Sequence, residues 1–251
     1  MTEVDDSGGR SLRGFPWLVM AVGLAALAVL LALGTWQVNR LAWKEALIAT
    51  IDQRIALAPG PLAEIERLYA DTGDVDYWPV ALRGVFLHDH ESHFLATWKG
   101  ASGYFVYTPL ELADGRLILV NRGFVPFDRK DSSARPEGQV EGEVGIVGLA
   151  RNPLTEKPSW IVPDNDLAKN VFYWKEIAAM AGRAGIDPAR LVPFFVDAGA
   201  APNPGGLPVG GVTMVDMPNN HLQYAVTWYG LAAALVVILV LFIRGRVRLR
   251  P

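Results

Sequence analysis

The chain has 251 residues, with 23 Lys and Arg against 26 Asp and Glu, so its net charge of −3 supplies none of the global basic field that draws nucleic acid. Hydrophobic residues make up 51% and mean hydropathy is +0.22, an excess gathered at the two ends. There is no cysteine, which excludes disulfides, thiol nucleophiles and thiolate metal sites and fits an oxidising compartment.

Phe15 to Trp36 is a charge-free run long enough to cross a hydrocarbon core, which takes about 20 apolar residues. Trp17 and Trp36 stand at its two ends, where amphipathic rings settle at an interface. A cleavable signal peptide is the competing reading, with Ala32-Leu33-Gly34 as a weak cleavage site. The run exceeds an h-region of roughly 7–15 residues, and acidic Glu3, Asp5 and Asp6 do not suit an n-region or a mitochondrial presequence. The expectation is therefore a retained anchor. A second apolar run, Leu222 to Ile243, is followed at once by Arg244, Arg246, Arg248 and Arg250. These arginines, with Arg10 and Arg13, place both termini on the cytoplasmic side. The expected organisation is a cytoplasmic tail (1–14), a span (15–36), a periplasmic domain (37–220), a second span (221–243) and a cytoplasmic Arg-rich tail (244–251). The expected location is a bacterial inner membrane.

Leu41, Ile48, Ile51 and Ile55 continue one apolar helix face to about Ala58, where Pro59-Gly60-Pro61 breaks it. Pro61, Leu62, Ile65, Leu68 and Tyr69 predict a second, short helix. From Tyr77 the pattern changes to strands: Val80 to Leu87, Tyr104 to Leu110, Arg116 to Asn121 and Gln139 to Ala150. Asp114-Gly115 predicts a hairpin. Trp174 to Ala184 predicts a helix, Val192 to Ala198 a strand, and the Pro- and Gly-rich stretch from Pro202 to Gly211 a loop. The fold class is thus a membrane protein of two transmembrane helices flanking an outward-facing α+β domain, mainly antiparallel β with a few helices.

Asn219 or Asn220 is a natural N-cap for the second span, which puts His221 in its first turn. Tyr224, Ala225 and Trp228 share its face, and Ala225 and Ala232 leave space beneath it. A flat apolar macrocycle could use that face with His221 as axial ligand. An interfacial histidine among belt aromatics is the alternative. On the first span, Gly23, Leu27, Leu30, Gly34, Gln37 and Leu41 form a stripe whose glycines permit close helix approach. Trp36, Gln37 and Arg40 stand at the depth of His221, and Arg40 could meet a porphyrin propionate or a lipid phosphate. His88, His90 and His93 contain an H-x-H pair whose rings would share a strand face and could bind copper or zinc. A solvated polar loop carrying Asp89 and Glu91 explains the same letters. There is no G-x-S-x-G, H-E-x-x-H or phosphate-cradling motif, and Ser102 and Ser159 lack a local partner, so the chain does not read as an enzyme.

Several separated stretches carry a resemblance. Gly34-Thr35-Trp36-Gln37-Val38-Asn39-Arg40 with Lys44, Gly103-Tyr104, Thr108-Pro109-Leu110 and Asp114-Gly115 come first. Val120-Asn121-Arg122-Gly123-Phe124-Val125-Pro126, Asn152-Pro153, Trp160, Tyr173-Trp174 and Asn219 to Trp228 follow in order. Together they resemble the surfeit locus protein 1 family, assembly factors for haem-copper cytochrome c oxidase, with Phe124 where the family usually has Trp. The resemblance implies a two-span protein that takes part in building subunit I, with haem a, received from haem a synthase, as a transient cofactor. It also implies His221 as the iron ligand, with Trp36, Gln37, Arg40, Tyr224 and Trp228 around it by position. Membrane lipid is the other expected contact, and nucleic acid is not. A cofactor-free scaffold that stabilises an assembly intermediate is the alternative function.

Overall fold

The computed structural model describes residues 15–215 and 217–248, so the expected tails at 1–14 and 244–251 lie wholly or partly outside the described residues. The chain divides into two compact units. One consists of the first helix as far as Ala49 together with the last helix, and the other is Thr50–Val215.

In the first unit, α1 (Phe15–Ile55) and α4 (His221–Arg248) lie antiparallel, since Gly23 meets Leu239, Gly34 meets Tyr229 and Gln37 meets His221. Both helices are long and apolar enough to cross a membrane. Their contact follows a seven-residue repeat. Gly23, Gly34 and Gln37 are buried on α1, with Leu27, Leu30 and Leu41 half-buried, while Ala225, Ala232 and Leu239 are buried on α4. The stripe expected on the first helix is therefore its contact face. Gly34 is required there, because a Cβ on it would sit 2.9 Å from the Tyr229 ring. The Tyr229 hydroxyl donates to Thr35 Oγ1 at 3.0 Å, and that hydroxyl donates in turn to the Leu31 carbonyl at 2.9 Å.

The second unit begins in the last turns of α1. Ile51 is buried, and Arg54 donates to the Asp76 carbonyl and to Asp74 Oδ2, each at 2.8 Å. A two-residue strand β1 (Gly60–Pro61) leads into α2 (Leu62–Thr72), whose entry is set by Pro61 and whose end is set by Gly73 with φ 68°. The strands are β2 (Pro79–Phe86), β3 (Ser92–Trp98), β4 (Ala101–Leu112), β5 (Leu117–Pro126), β6 (Glu143–Arg151) and β7 (Leu191–Ala198). A short helix α3 (Ile177–Arg183) precedes β7.

Pairing runs β2-β6-β7-β5-β4, and β4 returns to β2 through Gly84↔Leu112, Val85↔Glu111 and Phe86↔Leu110, so five strands close a ring. Strand direction cannot alternate all the way round a ring of five. One pair must be parallel, and it is β5 with β7; β1 also runs parallel to β2. The sheet is therefore mixed, yet five of the seven pairings among the described strands are antiparallel, as expected of a mainly antiparallel domain. Closure depends on Gly84, which pairs with both β6 and β4 and whose Cβ would lie 2.2 Å from the Glu111 carbonyl oxygen.

Inside the ring pack Val80, Leu82, Phe86, Leu110, Ile118, Val120, Val192, Phe194 and Val196, with Ile65 of α2 closing the end where β2, β5 and β7 begin. A second cluster, with Tyr107, Leu119, Phe172, Met180 and Phe195, lies between the outer face of the ring and α3. The helix expected over Trp174–Ala184 is shorter because Asn165 Oδ1 accepts from the Tyr173 and Trp174 backbones and holds that stretch non-helical. The strand expected from Gln139 starts only at Glu143, after Gly142 with φ 82°.

Candidate functional site

On the helix pair, the structure brings together two of the residues singled out by sequence. The His221 Nδ1–H donates to Gln37 Oε1 at 2.7 Å, and Gln37 is 8% exposed. Nδ1 is thereby committed to the amide oxygen, so the ring's lone pair sits on Nε2, the arrangement in which imidazoles bind metals. The donor chemistry fits a haem iron, and the carbonyl partner is the usual means of orienting such a ligand.

The other members are distributed differently. Trp36 and Tyr224 are 57% and 53% exposed, Trp228 is half-buried, and the Arg40 guanidinium lies over the Trp43 ring at 3.8 Å. Ala225 and Ala232, expected to leave space beneath His221, are 2% and 3% exposed because the contact face of α1 fills it. The alanine face is thus closed, and the rings of Trp36 and Tyr224 lie exposed outside it.

The histidines of the central domain do not share a strand face. His88–His90 is a single 3₁₀ turn, so the ring directions do not follow the two-residue period of a strand. His88 donates Nε2–H to the Val140 carbonyl at 3.0 Å, His90 is exposed, and His93 is buried in β3. Among the described residues no group of three or more His, Asp or Glu side chains is arranged to hold a metal ion. The solvated loop is only half right, because Asp89 and His90 are exposed while Glu91 and His93 are 5% and 6% exposed.

Glu91 is the centre of a buried charge network that the sequence reading missed. Arg135 grips both carboxylate oxygens, with Nη1 on Oε1 at 3.1 Å and Nη2 on Oε2. Arg122 reaches Oε1 only at 3.5 Å, donates Nη1–H to His88 Nδ1 at 3.3 Å, and donates from Nη2 to the Gly138 carbonyl. Burial pushes the Glu91 carboxyl up, but His88 and the Arg135 and Arg122 guanidiniums outweigh it and hold it at about 2. Burial pulls Arg122 down to about 10 against the attraction of Glu91, and pulls His93 down to about 4. One signal was available: Arg122 has the parity of the apolar Ile118 and Val120, so it points into the ring.

Other motif residues hold the domain together. Asn121 donates to Asp197 Oδ1 and accepts from the Gly123 backbone, at 3.0 and 3.1 Å. Asn152 ties the Asp74–Asp76 turn to the end of β6 through three bonds of 2.9 Å.

Known proteins match this chain over most of its length. "Surfeit locus protein 1" of Xenopus tropicalis is 38% identical over 235 residues, covering 87% of this chain and 72% of that protein. The Homo sapiens protein of the same name is 37% identical, with 87% and 74% covered. A "SURF1-like protein" of Monosiga brevicollis is 36% identical, with 88% and 84% covered. The model of the SURF1 family matches residues 24–233, taking in α1 from its third turn, the whole ring and the first half of α4. On these matches, the chain belongs to the SURF1 family.

Proposed function

We propose that this protein is a membrane-anchored assembly factor, not a catalyst, for haem-copper cytochrome c oxidase. It receives haem a from its synthase, holds it through His221, and passes it to nascent subunit I. The observation that carries this reading is the bond from His221 Nδ1 to the buried Gln37 amide, which presents Nε2 as an oriented ligand. Trp36 and Tyr224 would lie against the macrocycle from their exposed positions, with Trp228 at its edge, and Arg40 would meet a propionate. With Ala225 and Ala232 closed by α1, the macrocycle would have to use exposed surface of the pair beside His221. Membership of the SURF1 family supports the oxidase-assembly role.

Exposed apolar side chains along both helices, such as Trp17, Val22, Val29, Val237 and Leu241, support insertion in a bilayer, since water does not suit so continuous an apolar surface. The arginines that follow Ile243 support cytoplasmic termini and a periplasmic ring domain in a bacterial inner membrane.

Expression with the haem a synthesis enzymes tests the proposal. The purified protein should show a haem a absorption spectrum that His221→Ala abolishes, and an unchanged spectrum would remove His221 from the site. The closure of the alanine face favours a second reading, a cofactor-free scaffold. It predicts co-purification with subunit I and no haem at stoichiometric amounts.

A further inference from the structure

The end of the ring opposite α2, where β2, β5 and β7 finish and β6 begins, holds a cavity of about 240 Å³. Its walls are Phe86, Val144, Ile146 and Ala198, its roof is the Pro202–Pro204 loop, and Arg122 stands in its side. Val144, Ile146 and Ala198 pack on the ring interior yet remain only partly buried. Mouths of β-barrels are a common place for small ligands.

The charge at this mouth is unbalanced. Two buried guanidiniums, Arg122 and Arg135, share one buried carboxylate, and Arg135 takes both of its oxygens. Arg122, 2% exposed, is left with a long 3.5 Å contact to Glu91, the His88 Nδ1, a carbonyl and the face of Phe86 at 4.7 Å. Its Nε has no hydrogen-bond partner. A buried cation with incomplete pairing is costly unless an anion completes it. An apolar cavity flanked by such a cation is complementary to a molecule with one anionic end and a hydrocarbon body.

We propose that the mouth of the ring binds a small monocarboxylate with an unbranched apolar chain, its carboxylate meeting Arg122 and its chain lying on Phe86, Val144, Ile146 and Ala198. The cavity, about 240 Å³, lies below the roughly 300–1,000 Å³ of a drug-sized pocket and suits a short chain such as hexanoate. Carboxylate is favoured over phosphate because the cationic donor is one guanidinium, which matches a planar two-oxygen head, and the other polar side chain in the lining, Asn203, spends its amide N–H on the Pro208 carbonyl. The site is separate from His221, and the proposal does not depend on haem binding.

The test is saturation-transfer NMR of hexanoate against the full chain in phosphatidylcholine nanodiscs, with empty nanodiscs as blank and hexanamide as the uncharged comparison. Hexanoate should bind saturably, and hexanamide about 10- to 100-fold more weakly, the loss expected for one charge-assisted hydrogen bond. Arg122→Gln should abolish hexanoate binding. Because that variant also disturbs a buried network, Ala201→Glu, on the exposed rim, provides the second measurement. It should weaken hexanoate at least about tenfold by charge repulsion, while Ala201→Gln leaves it unchanged. Equal binding of hexanamide, no saturable binding of hexanoate, or no effect of Ala201→Glu would each overturn the proposal.

Discussion

His93 makes the stability of the ring domain sensitive to mild acid. Its ring is 6% exposed, accepts a hydrogen bond at Nδ1 from Asn170 Nδ2 at 2.9 Å, and lies against Tyr104. The charged groups facing it are Glu91, with Oε2 at 3.9 Å from Nε2, and Lys130 and Arg135. Burial, aided by the two cations and opposed by Glu91, lowers its pKa from 6.5 to about 4. The unfolded chain therefore takes up a proton at a pH where the folded chain does not. The contribution is fully present above pH 6.5, falls as pH drops from 6.5 to 4, and changes no further below that. At 1.36 kcal/mol per unit, the shift is worth about 3 kcal/mol across the window. His93→Asn keeps an acceptor for Asn170 and removes the titration, so its stability should be flatter by that amount between pH 7 and pH 4. Urea unfolding of both full-length proteins in detergent, followed by tryptophan fluorescence at several pH values, gives the two profiles. Parallel profiles through pH 6.5 to 4 would refute the reasoning.

Three further outcomes follow from the packing. Glu91→Gln leaves Arg122 and Arg135 buried without a carboxylate and should cost about 3–5 kcal/mol in the same assay at neutral pH. In the wild type that pair's contribution is present above pH 4.5 and is lost as pH falls through about 2, a window below that of His93. Gly84→Ala places a methyl group against the Glu111 carbonyl and should destabilise the domain by about 2–4 kcal/mol, with faster hydrogen exchange at Phe86 and Leu110. Gly34→Leu drives into the Tyr229 ring and should open the helix pair, read as lower cross-linking between cysteines placed at Gly23 and Leu239. Unaltered cross-linking would show that the glycine is not needed for helix approach.

The two long helices were legible because twenty apolar letters in a row have few other uses, and most strands because Val, Ile, Leu and Phe recur between Gly and Pro breaks. β3 was not legible. Its start, Ser92-His93, follows His88-Asp89-His90-Glu91, letters that suit a solvated turn, and the burial of Glu91 depends on Arg122 and Arg135, which lie far off in sequence. Ring closure was hidden for a similar reason: β4 meets β3 and β2 in succession along one edge, a matter of register that no periodicity reports. At the helix pair, the sequence correctly placed Gln37 and His221 at one depth, and the glycine stripe gave the contact face. It misjudged Ala225 and Ala232 because a small residue reads equally as a vacancy or as a place where a neighbouring helix comes close.

The order of strands round the ring also has a temporal meaning. β7 is the last strand to be synthesised, yet it lies between β6 and β5, which come earlier in the chain. Until Ala198 has been delivered, β5 and β6 have no partner on that side, and the half-made sheet exposes two unpaired edges. Nothing upstream can complete the ring by itself. Long-range pairings of this kind are slow to form, so the growing domain passes through an open, adhesive stage that ends only shortly before α4 emerges. A chain interrupted anywhere before β7 would therefore keep that open edge permanently, and should persist as a substrate for holdases and proteases instead of a smaller folded domain.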